Sequence, residues 1–220
     1  MNKHISSGLE YRAICENQLS LCGIGSCYDE NIIVPESVDG KTVISIDSFA
    51  FRRNDAIKSI SLPNTIDYIG AEAFAWCKNL ESIQLGGVIQ ISERAFMGCD
   101  SLKSLDLGEK LDFVGTKAFA YCPSLESVTL PNGVDTLGAS AFDGCRNLKS
   151  ISLPDSLKSL ESGVFYACCE LNSINIPSSL EYIDEFAFAY CISLDKINLP
   201  ARTIINQYAF FEASGSKMVS

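Results

Sequence analysis

The feature that most constrains this chain is a phenylalanine that returns at a nearly fixed interval. It stands at Phe51, Phe74, Phe96, Phe119, Phe142, Phe165, Phe188 and Phe210, with successive spacings of 23, 22, 23, 23, 23, 23 and 22 residues. Ala precedes it everywhere except at Val164. Other apolar positions move in step. Leu80, Leu102, Leu125, Leu148, Leu171 and Leu194 follow six residues later, and Ile83, Leu105, Val128, Ile151, Ile174 and Ile197 nine later. Two positions further come Leu85, Leu107, Leu130, Leu153, Ile176 and Leu199. Each unit reads L-x-x-I-x-L-P-x-x-I-x-x-I-G-x-x-A-F-x-x-C. A unit of this size cannot bury its own apolar stripe, so the units must stack and share one core.

The I-x-L segment alternates with period two and reads as a short strand. Pro63, Gly86, Gly108, Pro131, Pro154, Pro177 and Pro200 end it. A second extended piece, such as Ile66 to Ile69, leads into G-x-x-A-F-x-x-C, where apolar positions three or four apart fit one helical turn. One strand per rung at about 4.8 Å gives a stack roughly 35 to 40 Å long. Parallel strands joined by crossovers coil to the right. The expectation is a right-handed leucine-rich repeat solenoid of about eight rungs, with a parallel β-sheet on the concave face and short helical turns.

Residues 1–40 read as an N-terminal capping segment, residues 41–213 as the solenoid and residues 214–220 as a flexible tail. Within the cap, residues 9–28 form two extended stretches around Glu16-Asn17-Gln18. The chain leaves Phe210 as EASGSKMVS, with no closing strand, so self-association through an uncapped C-terminal end is expected.

Composition narrows the chemistry. A single His, His4, removes most general-base, triad and zinc-hydrolase mechanisms. No G-x-S-x-G, P-loop or H-E-x-x-H string occurs, and Gly23-Ile24-Gly25 is a turn, since residue 28 is Tyr. The chain therefore reads as no enzyme, with no cofactor. A net charge of -10 argues against nucleic acid as the partner. The apolar run Phe186 to Ile192 is too short for membrane insertion. The start, MNKHISSGLEYR, carries no apolar segment of a secretory signal.

Six of the ten Cys share one repeat position: Cys77, Cys99, Cys122, Cys145, Cys168 and Cys191. Equivalent side chains in a stack point the same way, which suits buried small hydrophobes better than disulfides or a metal array. Cys15, Cys22 and Cys27 with His4 lack the C-x-x-C spacing of a zinc knuckle, so no metal site is read. Cys169, beside the column, is the candidate for an exposed thiol.

Alternation turns two rows outward. One is Ser61, Gln84, Asp106, Thr129, Ser152, Asn175 and Asn198; the other is Ser59, Ser82, Ser104, Ser127, Ser150 and Ser173, then Lys196. They read either as small groups suited to a crowded curved sheet or as a polar surface accepting a protein or glycan. The adjacent row, Lys58, Glu81, Lys103, Glu126, Lys149, Asn172 and Asp195, alternates in sign and reads as a register device. Residues 159–195 hold Glu161, Glu170, Glu181, Asp184, Glu185 and Asp195 without Lys or Arg. That is a solvated face, or an acidic patch that steers a basic partner or holds calcium weakly. Trp76, Tyr121 and Tyr190 share a position interrupted by Gly98, Gly144 and Ala167, and form no continuous stripe.

Residues 32–57, IIVPESVDGKTVISIDSFAFRRNDAI, and repeats such as SLPNTIDYIGAEAFAWCKNLESI resemble the BspA-like, or treponemal-class, leucine-rich repeat family. The resemblance covers roughly residues 9–211, with Asn54 and Ala213 in place of the Cys in the first and last rungs. It implies a curved solenoid without catalytic residues, and an extracellular or cell-surface protein that contacts host or matrix proteins. A non-catalytic protein-binding module for surface adhesion is therefore the expected function. An intracellular, cytoplasmic interaction scaffold of the same fold is the alternative.

Overall fold

The computed structural model describes residues 5–214, and His4 and residues 215–220 of the expected tail lie outside the described residues. Two strands open the chain, β1 (Glu10–Cys15) and β2 (Gln18–Gly23), paired antiparallel as a hairpin. The repeat then delivers three-residue strands: β3 (Asn31–Ile33), β6 (Ser59–Ser61), β8 (Ser82–Gln84), β10 (Ser104–Asp106), β12 (Ser127–Thr129), β14 (Ser150–Ser152) and β16 (Ser173–Asn175). Between them lie β4 (Ser37–Val38), β5 (Lys41–Ile46) and the two-residue strands β7 (Tyr68–Ile69), β9 (Gln90–Ile91), β11 (Phe113–Val114), β13 (Thr136–Leu137), β15 (Ser159–Leu160), β17 (Tyr182–Ile183) and β18 (Ile204–Ile205).

Strands of one kind pair in parallel from rung to rung, giving the repeat solenoid with parallel sheets. The three-residue strands form one ladder, β10-β8-β6-β3, and a second, β12-β14-β16. The two-residue strands continue the hairpin as β1-β2-β5-β7-β9-β11-β13 and resume as β15-β17-β18. The middle residue of each three-residue strand turns inward, as Ile83 and Ile151 do, while its neighbours look out. Alternation with one face buried sets this register, since a slip of one residue would expose the whole apolar row.

The third side of each rung departs from the expected helical turn. No α-helix occurs among the described residues, and G-x-x-A-F-x-x-C runs as successive tight turns. In the second rung Ala73 N–H bonds Gly70 O, Ala75 N–H bonds Glu72 O and Cys77 N–H bonds Phe74 O. The residues two before and two after the Phe are left-handed: Glu72 and Trp76 (φ 54° and 64°), Lys117 and Tyr121 (57° each), Phe186 and Tyr190 (57° and 59°). A helix cannot pass through such residues. Their orientation instead turns backbone groups toward the next rung. The N–H of Phe51, Phe74, Phe96, Phe119, Phe142, Phe165 and Phe188 each donates to the carbonyl just before the next rung's Phe, at 2.7 to 2.9 Å. This turn ladder runs unbroken where both sheets are interrupted.

The shared core is a column of rings. From Phe51 to Phe210, adjacent phenylalanines stack with centroids 5.0 to 6.0 Å apart. Offset stacking of this kind adds about 0.5 to 1.5 kcal/mol per pair beyond area burial. Gly138 lies where the turn begins, and a Cβ there would sit 2.5 Å from Thr116 N of the preceding rung. The Gly of the repeat marks this close approach.

Candidate functional site

The three-residue strands present the outward rows in register. Asn31, Ser59, Ser82 and Ser104 align across β3, β6, β8 and β10, as do Ile33, Ser61, Gln84 and Asp106. These residues line a shallow cavity of about 370 Å³ floored by Ile32, Ile60, Ile83 and Leu105. Ser59 Oγ donates to Asn31 Oδ1 at 2.7 Å, and Ser61 Oγ to Gln84 Oε1 at 3.2 Å. Among the described residues no side-chain hydrogen bond engages the hydroxyls of Ser82, which is half-buried, and Ser104, which is exposed.

The ladder of hydrogen bonds beneath the rows is interrupted once. Ser127, Ser150 and Ser173 align on β12, β14 and β16, with Thr129, Ser152 and Asn175 beside them. This ladder is not hydrogen-bonded to β10, although β12 still lies next to β10 in the stack. At the step, Asp106 Oδ1 accepts from Gly108 N–H at 3.3 Å. Asn175 is committed to structure: its amide bonds Leu153 O at 2.8 Å and its Oδ1 accepts Leu153 N–H at 2.7 Å. Asn198 and Lys196 lie in no strand, because the ladder ends at β16 and only Ile197 of that segment enters the core.

The flanking charged row pairs only in places. Lys58 meets Glu30 at 2.5 Å and Lys149 meets Glu126 at 2.9 Å, while Glu81 and Lys103 make no ion pair among the described residues. The hydrogen bond from Lys58 to Glu30, followed by the Glu30 charge, raises the Lys58 pKa. All these side chains are exposed, where solvent screening leaves such pairs little stabilising value.

The six aligned cysteines are buried. Each thiol donates to the carbonyl of the preceding rung's Phe, from Cys77 to Phe51 O at 3.0 Å through Cys191 to Phe165 O at 3.1 Å. The column thus carries a hydrogen bond as well as packing. Burial pushes the Cys77 and Cys191 thiols up to about 12, and raises those of Cys99, Cys145 and Cys168 well above the ordinary value. Cys169 is only half-buried, with its thiol 3.4 Å from Ala167 O, and Cys15 on β1 is the exposed thiol. A place beside the column, which pointed to Cys169, does not bring a neighbour fully to the surface within a turn.

Among the described residues no three His, Cys, Asp or Glu side chains gather to hold a metal, which leaves the calcium reading of the acidic stretch without a site. Trp76 and Tyr121 lie over the glycines of the following rung; a Cβ on Gly144 would sit 2.6 Å from Tyr121 Cδ1. Gly98, Gly144 and Gly163, all left-handed, were the sequence signal for the turn geometry. No helix among the described residues is long and apolar enough to cross a membrane.

Comparison with known proteins agrees with this architecture. The T. pallidum Leucine Rich Repeat protein (TpLRR) superposes with a TM-score of 0.78 at 29% identity, over 85% of this chain and 88% of that one. A leucine-rich repeat protein from Bacteroides ovatus gives a TM-score of 0.86 at 29% identity, over 98% of this chain. The chain spans 58% of that protein's length. A leucine rich cell surface protein from Faecalibacterium prausnitzii shares the fold at 24% identity and a TM-score of 0.73, over 88% of this chain and 54% of that one. No curated protein matches the chain. The family described as BspA type leucine rich repeat region (6 copies) matches residues 26–143 and 112–219. With rungs, register and relatives in agreement, the chain belongs to the BspA-type leucine-rich repeat family.

Proposed function

We propose that the chain is a non-catalytic protein-binding module that uses the strand face of its first rungs, at a cell surface, to hold a host or matrix protein. The carrying observation is the cavity on β3, β6, β8 and β10, where the hydroxyls of Ser82 and Ser104 stand beside Gln84 and Asp106 over an apolar floor. Few convergent polar groups over apolar surface are what a recognition site requires. The repeat family supports interaction rather than catalysis. The second patch, with Ser127, Ser150, Ser152 and Thr129, extends the same reading.

The test is titration of the chain against a panel of purified extracellular matrix proteins, with Ser82→Arg and Ser104→Arg as variants. A matrix protein whose affinity falls at least about tenfold in both variants supports the reading, at the 1.4 kcal/mol per decade of binding. Binding that both variants leave unchanged, or none to any member of the panel, rejects it. Self-association through the last rung belongs to the same proposal, since Ile205 is left partly exposed there while its equivalents Ile183 and Leu160 are buried. A strict monomer by sedimentation at high concentration would remove that part.

A further inference from the structure

On the turn side of the last three rungs five aromatic rings touch in sequence. Tyr166 meets Tyr190 edge-on at 5.3 Å, Tyr190 meets Phe211 at 5.7 Å, Phe211 meets Phe186 at 6.2 Å, and Phe186 stacks on Tyr208 at 5.8 Å. Tyr190, Tyr208 and Phe211 remain 38, 46 and 41% exposed. The turn ladder fixes their places: Phe186 N–H bonds Tyr208 O and Tyr190 N–H bonds Phe211 O. In the four rungs from Phe74 to Phe142 the position two before the Phe holds Glu72, Arg94, Lys117 and Ser140, so the aromatic patch is particular to this end. Contiguous exposed rings on a structured surface mark an interaction site.

The first rung shows what such a ring takes. Phe49 occupies the same repeat position as Phe186, and the Arg52 guanidinium lies 5.5 Å from its ring centroid. In the seventh rung the position of Arg52 is Ala189, so the repeat places no cation at that position. Residues 159–195 contain no Lys or Arg, while Glu185 and Glu212, next to Phe186 and Phe211 in the chain, are exposed. Ring faces carry a negative quadrupole, and the carboxylates deepen the same sign of potential.

We propose that this patch docks an arginine-bearing segment of a partner protein, its guanidinium groups stacked on Tyr190 and Phe211 and its remaining donors paired with Glu185 and Glu212. The planar guanidinium stacks on aromatic faces in a way that an ammonium does not, which favours Arg over Lys. This surface is separate from the strand face and stands or falls independently of it.

The experiment is fluorescence anisotropy with a labelled octa-arginine peptide and its octa-lysine counterpart, at about 0.15 M salt, where long-range attraction is screened. The expected result is tighter binding of the arginine peptide, with a loss of about tenfold or more in Tyr190→Ala/Phe211→Ala, which keeps the net charge. Glu185→Lys should weaken binding by a similar factor, and Tyr68→Ala, an exposed ring on β7, should leave it unchanged. Equal melting temperatures confirm that each variant is folded; if the double variant is not, Glu185→Lys against Tyr68→Ala decides. Absence of peptide binding, a loss below twofold in the double variant, or equal binding of the two peptides overturns the proposal. So does retention of a glycan by the same rings in place of the peptide.

Discussion

Cys145 serves two rungs at once. Its N–H bonds Phe142 O within its own turn at 3.2 Å, and its Sγ donates to Phe119 O of the rung before at 3.1 Å. Repetition alone indicated that such thiols form a buried column. It did not indicate their acceptor, because locating a carbonyl one rung away requires the turn geometry. The chemical consequence is low reactivity, since the thiolate is the nucleophile and burial raises these pKa values. Under native conditions near pH 8, a thiol reagent is expected to modify Cys15 first, with Cys22 and Cys169 slower. The six column thiols should react only after denaturant is added; rapid native labelling of any of them would contradict the buried column. The neighbouring rings carry the larger energy. Phe119→Ala, in the middle of the stack, should cost about 3 to 5 kcal/mol in chemical denaturation. A loss under about 1 kcal/mol would refute a shared core.

At the scale of elements, the strands were legible and the turns were not. Period-two alternation, as in Ser82-Ile83-Gln84, has few competing explanations. Apolar spacing of three and four in Ala-Phe-x-x-Cys fits a helical turn and a train of tight turns equally well. Left-handed Glu72 and Trp76 carry no signature in their residue type; only the glycines elsewhere in their columns do. The hairpin of β1 and β2 adds an interaction no pattern could announce. Arg12 holds Asp47 through two bonds, Nε to Oδ2 at 3.0 Å and Nη2 to Oδ1 at 2.9 Å, and Ser20 Oγ donates to the same carboxylate at 2.6 Å. This clamps the hairpin onto the first rung. Burial alone would raise the Asp47 pKa, but the bonds from Arg12 and Ser20 and the Arg12 charge outweigh it, leaving the pKa lowered from 3.8. A depressed carboxylate pKa contributes stability that is present above its unfolded value and disappears as pH falls through the folded one. Asp47→Asn should therefore lower the melting temperature at pH 7, and the gap from the parent should close as pH drops below about 4, toward both carboxylate values. A pH-independent gap would show that packing, not ionisation, holds the clamp.

For the whole molecule, the apolar content that suggests an ordinary globular core is one stripe used eight times. The outward rows of the candidate site were readable from alternation, while the interruption of their ladder after β10 has no signature in that pattern. The turn ladder supplies the continuity that the sheets lack, with one bond from each Phe to the next rung. Stability in such a stack is close to a sum of rung and interface terms. Removing residues 120–142, which joins Phe119 to Asp143 and excises 23 residues, should leave a cooperatively folding protein with a lower midpoint in urea. Removing residues 120–139 instead breaks the phase and should abolish folding; equal tolerance of both deletions would refute the register argument. Because each rung is bonded alike to its neighbour, the array is a countable inheritance. Adding or removing whole rungs would change the length of the stack without posing the folding problem again.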